Sequence, residues 1–300
     1  LGWNISNESF YPTNATLNRL KLRVSYGLNG NQGVGAYETI SRLSTNNLVS
    51  GTTTLPGYIP SRLGEDNLGW ESTQSLNVGL DFGFVQDRIQ GDLNFYKSNT
   101  FDLLLGRSIS PIHGITSITQ NIGETENLGF EGSITSTNID NGGFRWVTSA
   151  NAAFLKNKIV SLYGELDDEG NEIDDIANQW FIGHPIRVNY GYVWDGVWQL
   201  DEAEEAASYG TQPGFIKIKD VNNDGVISAD DRQIIGQNDP KFMWGMNNSW
   251  SYNDLTLSVF VHGVHGVTKN NVLKSDNVYS GVRRNTTKKN WWTPENPTND

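Results

Sequence analysis

The stretch from Gln74 to Lys97 leaves few folds open to the chain. From Leu76 the even positions are apolar (Leu76, Val78, Leu80, Phe82, Phe84), and the odd ones (Ser75, Asn77, Gly79, Asp81, Gly83) are small or polar. After a tight polar corner at Val85–Arg88 the pattern restarts with Ile89, Gly91, Leu93 and Phe95, set against Gln90, Asp92 and Asn94. Successive strand residues point to opposite faces, so the spacing predicts a hairpin with one apolar and one wet face. Each arm is about ten residues long, which is what a tilted strand needs to cross the hydrocarbon of a bilayer. The wet face carries charges and glycines where a sandwich core would want small apolar side chains. A wall that is apolar outside and polar inside is the wall of a membrane barrel.

The same unit recurs along the chain. A partial strand enters at Leu1, Trp3 and Ile5, and further alternations follow at Leu20–Tyr26, Leu128–Ile134, Phe144–Ala152, Phe242–Met246 and Leu255–Val261. Short turns (Val85–Arg88, Asn138–Gly143, Ser251–Asp254) alternate strictly with long connections (27–73, 98–123, 156–240). In a globular domain such connections argue against the assignment. An outer-membrane barrel has short periplasmic turns and long extracellular loops, so there they are the norm. The expected fold is therefore all-β: seven full strands and one partial strand of a large antiparallel transmembrane β-barrel. Tyr26, Trp70, Phe84, Tyr96, Trp146, Trp244 and Trp250, near strand ends, are expected in its interfacial girdles. The competing architecture is a β-sandwich whose aromatics pack inward.

Composition narrows the function. The chain has no cysteine, which excludes a disulfide framework, a thiolate metal site and a cysteine nucleophile. No run of about 18 apolar residues exists, so no transmembrane helix is expected. A net charge of −12 argues against general nucleic-acid binding. The chain starts at Leu1 without a Met or a signal peptide, and we expect an internal piece of something longer. Catalytic constellations are poor. His262 and His265 fall near the outer end of a strand, and His113 and His184 fall in loops. The carboxylates at Glu165–Glu169 and Asp174–Asp175 lack a frame that would fix a glycosidase separation. The chain is not expected to be an enzyme.

Several segments carry a family resemblance. LKLRVSYGLNGNQ (Leu20–Gln32), NLGWESTQSLNVGLDFGF (Asn67–Phe84), DRIQGDLNFYKSNTFDLLL (Asp87–Leu105), NIGETENLGFEGSI (Asn121–Ile134), GFIKIKDVNNDGVISADDRQIIG (Gly214–Gly236) and WWTPENP (Trp291–Pro297) resemble the SusC/RagA family, in order and across nearly the whole chain. Those are TonB-linked receptors of Bacteroidetes-type outer membranes. The resemblance implies that residues 1–300 are part of the barrel domain, without its plug or its final strands. It implies nutrient import of oligosaccharide or peptide, a SusD-like surface lipoprotein as lid, and coupling to TonB through the N-terminal part. The alternative is a secreted, calcium-stabilised β-sandwich that binds glycans.

One loop has the grammar of a cation site. In DVNNDGVISADD, Asp220, Asn222 and Asp224 take the first, third and fifth positions of a calcium loop. Gly225 takes the sixth, where the turn is sharp, and Val226 offers its carbonyl at the seventh. Ser228 follows, and Asp231 closes the loop where Glu is usual. Ca²⁺ wants six to eight oxygens, which this spacing brings round one centre. The competing reading is an Asn/Asp/Gly turn without an ion. The loop lies in the 156–240 connection, where Glu165 to Asp231 holds sixteen acidic and three basic residues. Leu200–Ala207 within it is expected to be a short exposed helix.

Overall fold

The computed structural model describes residues 1–12, 16–269, 271 and 290–299. Eight strands form one antiparallel sheet: β1 (Gly2–Asn4), β2 (Leu17–Asn31), β3 (Glu71–Phe84), β4 (Ile89–Phe101), β5 (Glu124–Asp140), β6 (Phe144–Ser161), β7 (Phe242–Tyr252) and β8 (Leu255–His265). Each strand pairs with its neighbours in sequence, so the order in the sheet is the order in the chain. β1 and β8 are its two edges, as expected for a barrel wall with seven full strands and one partial strand.

Strands β2 to β6 run for 13 to 18 residues, longer than the alternation of apolar side chains alone predicts. The extra length is polar pairing. Asn29, Gly30 and Asn31 of β2 stay in register with Thr73, Ser72 and Glu71 of β3. Hydrogen bonds between hydroxyls, such as Thr73 to Thr100 and Ser75 to Ser98 (both 3.0 Å), knit β3 to β4 at the same level. The long connections also hold structure: Arg42–Ser50 pairs with Thr53–Arg62, and Leu104–Ser108 with Ser117–Asn121.

The corner between β3 and β4 is Val85–Arg88, as the sequence predicts. Val85, Gln86 and Asp87 all have positive φ (53°, 58° and 61°). The corner is tied to both flanking strands. Val85 N–H donates to Thr16 O (2.8 Å), and Thr137 N–H donates to Arg88 O (2.7 Å). Asn18 and Asp87 exchange hydrogen bonds at 3.1 and 3.3 Å. The β5–β6 turn is tighter than the Asn138–Gly143 expected. Pairing runs on to Asp140, and Asn138 drops out of register as a bulge. Only Asn141, Gly142 and Gly143 then remain between the strands.

Register sorts the side chains into two faces. Leu22, Leu80 and Leu93 stand in one row of the outer face. Phe95, Phe130, Phe154 and Phe242 form another, across β4 to β7. Phe154 and Phe242 stack at 4.4 Å. These side chains have no layer packed over them: Phe130 is 44% exposed and Leu257 59%. A sheet that leaves such a continuous apolar face open is built for lipid and not for water. At the turn end, Trp146 and Trp250 stack at 6.2 Å, the girdle expected of them. Tyr96 departs from that expectation. It lies on the inner face, opposite Asn77 and Gly129, and a side chain at position 129 would collide with its ring.

The chain divides into two compact units. The first is Leu1–Ile186 with Pro240–His265, which holds the sheet. Its connection after β6 is closed by Glu172, whose Oε1 accepts N–H bonds from Leu162 (2.6 Å) and Gly164 (2.7 Å). Burial works to raise the pKa of this carboxyl, but those N–H groups outweigh it and hold the pKa below the usual range. Ile159, Leu162 and Phe181 are buried in this part of the unit.

The second unit is Arg187–Asp239 with Gly266–Asp300. Within it Val188–Gly191 pairs with Gln233–Gln237, and Trp194–Val197 with Ile216–Ile218. The expected short helix is present at Ala203–Ser208 after a turn at Leu200–Glu202, with Ala206 buried among exposed neighbours. Lys217 Nζ lies 4.2 Å from the centre of the Trp198 ring and 2.7 Å from Glu202 Oε1.

Candidate functional site on the inner face of the sheet

Alternation places Arg19, Lys21 and Arg23 of β2 on the inner face, across from Asp81 of β3 and Gln90, Asp92 and Asn94 of β4. Arg23 donates to Asp81 through Nε (3.0 Å) and Nη2 (2.7 Å), and through Nη2 to Asn94 Oδ1 (2.9 Å). Gly79 makes this possible: a Cβ there would lie 2.8 Å from the Arg23 guanidinium. The network continues sideways. Asn94 donates to Asp92 at 2.5 Å, and the Ser133 hydroxyl of β5 donates to the same carboxylate. Arg19 reaches Gln90 at 3.0 Å.

Further round the wall the chemistry changes. A hollow of about 610 Å³ is lined by Asp92, Asn94 and Glu131 on one side and by Met243, Phe260 and His262 on the other. Phe260 and His262 stack at 5.7 Å. The inner face thus runs from cationic (β2) through anionic (β3 to β5) to aromatic (β8). Such a surface offers hydrogen-bond donors, acceptors and a stacking platform to a polar oligomer. His262 was expected at a girdle or loop, but it lines this hollow: it falls opposite the outward Leu255, Leu257, Val259 and Val261, on a face where Phe260 and Val264 break the polar pattern begun by Thr256 and Ser258. His265 is the outer-face histidine and accepts from Trp244 Nε1 at 3.2 Å. The side chain of His113 lies outside the described residues.

The Asp220–Asp231 loop folds as a series of side-chain turns. Asp220 accepts from Asn223 N–H (2.7 Å), Gly225 N–H (2.9 Å) and Tyr209 Oη (3.1 Å). Burial works to raise the Asp220 pKa, and these donors bring it below the usual range. Asn222 Oδ1 accepts from Asp224 N–H (3.1 Å), and Asp224 Oδ1 from Val226 N–H (2.8 Å). Gly225 has φ +80°, as the sixth position requires. Asp231 is fully buried, and its two oxygens accept from Val221 N–H (2.8 Å) and Ser228 N–H (2.7 Å). Among the described residues no three His, Cys, Asp or Glu side chains converge closely enough to hold a metal ion. The donors fit a hard cation by type and spacing; Asp220 Oδ2 is taken by both Gly225 and Tyr209, while Asp220 Oδ1 and the two Asp231 oxygens each accept one bond and keep a second lone pair. They do not form a ready cage.

No family model matches the chain. TonB-dependent receptor P3 of Formosa agariphila is 33% identical over 314 residues, covering 100% of this chain and 31% of its own length. TonB-dependent receptor SusC of Bacteroides thetaiotaomicron is 29% identical over 269 residues, covering 86% of this chain and 26% of its own length. The solved structure of the RagAB peptide transporter superposes with a TM-score of 0.70 at 25% identity, over 88% of this chain and 28% of that one. This chain therefore spans under a third of the relatives it matches. An antiparallel sheet with a lipid-type outer face, a charged inner face and these relatives is the wall of a TonB-dependent receptor barrel. The chain belongs to the SusC/RagA family of those receptors.

Proposed function

We propose that this chain forms part of the barrel of an outer-membrane importer of oligosaccharides or peptides. A SusD-like surface lipoprotein caps the importer and TonB drives it through an N-terminal plug. The inner face carries the reading: a wall of paired charges, amides and an aromatic step around a 610 Å³ hollow suits a hydrated oligomer bound through many weak contacts. Transport is assigned to it, and no bond-breaking chemistry.

The test is purification of the full-length receptor from outer membranes, followed by uptake in cells that also express the neighbouring lipoprotein. A heat-modifiable, detergent-soluble protein is expected. Glu131→Ala and Phe260→Ala should slow uptake severalfold without loss of assembly. A water-soluble monomer would overturn the barrel reading.

Calcium is the ion we assign to the Asp220–Asp231 loop, held by Asp220, Asn222, Asp224, the Val226 carbonyl and Asp231. The support is the oxygen-only donor set together with the buried Asp231, which has no ion-pair partner among the described residues, although a buried charge normally needs one. Asp224→Ala in the full-length receptor should speed proteolysis of 187–239 far more in calcium than in chelator, where only its bonds from Val226 N–H and Asn222 Nδ2 are lost. Equal cleavage of wild type and variant under both conditions would leave the loop to its hydrogen bonds alone.

A further inference from the structure

The outer face carries a second pattern just beyond the phenylalanine row, on the side of the long connections. In register across β4, β5 and β6 stand Lys97, Leu128 and Lys156, and one step further Asn99, Glu126 and Lys158. This row lies about 7 Å past Phe95, Phe130 and Phe154, by the rise of two strand residues. Glu126 pairs with both Lys97 (2.8 Å) and Lys158 (3.0 Å) and holds the two ammonium groups side by side. Lys156 is exposed and has no ion pair among the described residues. Glu124, two residues further from the phenylalanines, is engaged by Asn99 at 2.8 Å. A net positive cluster thus stands at one level of an otherwise acidic chain, directly above an aromatic shelf.

Aromatic rings mark where hydrocarbon gives way to head groups, and lysines above them extend their ammonium groups into that layer. Lys97 and Lys156 are separated by two strand spacings, about 10 Å, so their arms can close on one anion between them. We propose that Lys97, Lys156 and Lys158 bind the phosphate groups of an outer-leaflet glycolipid, whose acyl chains lie over the Phe95–Phe130–Phe154 shelf. The assignment rests on the outer-membrane barrel reading. It commits to lipid-borne phosphate because the cluster is on the lipid side and adjoins the apolar band.

The experiment uses the full-length receptor in nanodiscs of zwitterionic lipid, with and without lipid A. Its thermal midpoint should rise with lipid A. It should not rise with dephosphorylated lipid A or with inorganic phosphate alone. Lys156→Gln should weaken lipid A retention about fivefold, the share of one surface lysine. Replacing all three lysines by Gln should abolish the shift, and replacing all three by Arg should keep it. A shift that survives the triple Gln change, or that dephosphorylated lipid A also produces, would overturn the proposal. If the triple variant does not assemble, Lys156→Gln decides alone, because Lys156 holds no ion pair among the described residues. A wild-type receptor that fails to enter nanodiscs would refute the barrel reading instead.

Discussion

Replacing Leu80 by arginine in the full-length receptor is expected to cost about 2–4 kcal/mol of stability in the bilayer, the range for a cation at midplane on the lipid face. Leu80 stands in the row with Leu22 and Leu93, between the Val78 and Phe82 rows of the same apolar face, so its guanidinium would be placed among apolar side chains. The neighbouring Asp81 points the other way. From alternation alone, Asp81→Asn should be almost free. The structure raises that expectation, because Asp81 is the carboxylate that Arg23 grips at 2.7 Å. Both side chains remain partly exposed, so the loss should be about 1 kcal/mol or less. Equilibrium unfolding of the refolded receptor in lipid vesicles would separate the two. Equal losses would mean that the alternation has been misassigned.

Asp231→Ala should be the most damaging single change in the second unit. The carboxylate is fully buried and satisfies two backbone N–H groups, those of Val221 and Ser228. Each buried donor left without a partner costs about 1–3 kcal/mol. The amides of Val221 and Ser228 should therefore exchange with deuterium at least about tenfold faster, the factor that corresponds to 1.4 kcal/mol. Asp231→Asn keeps one carbonyl acceptor and should protect one of the two amides. Unchanged exchange in the alanine variant would show that the loop does not depend on this clasp. Both results are read in chelator, so they are independent of the calcium assignment.

The strand count, the sheet order and the β3–β4 corner were legible from alternation, because in a membrane barrel one face must be apolar at every second residue. Strand lengths were not, because beyond Tyr26 the alternate residues are Leu28 and then Gly30, and pairing is carried by Asn, Ser and Thr. The inner site was half legible. Asp81, Asp92 and Asn94 announce a wet face, but the grip of Arg23 on Asp81 needs β2 and β3 in register and a bare Gly79 between them. Tyr96 and His262 were misplaced for related reasons. An aromatic near a strand end looks like a girdle until its parity is counted, and β8 has apolar residues of both parities. In the Asp220 loop the turn at Gly225 was readable from spacing, whereas the burial of Asp231 belongs to packing that no spacing reveals.

The β3–β4 corner carries a consequence for how the wall is assembled. Three successive residues with side chains, one of them the β-branched Val85, sit in the left-handed region, at about 1 kcal/mol or more each. Inside the hairpin a single long bond, Arg88 N–H to Val85 O (3.2 Å), closes the corner and offsets little of that. The compensating bonds come from next door: Thr16 and Asn18 on one flank, Thr137 on the other. An isolated β3–β4 hairpin is therefore a poor early intermediate, since its corner relaxes into the observed shape only when β2 and β5 are already alongside. Lateral addition of strands, and not docking of finished hairpins, is the route this corner favours. A slip of one residue at either flank would forfeit those bonds, so the corner also works as a proofreader of register during insertion.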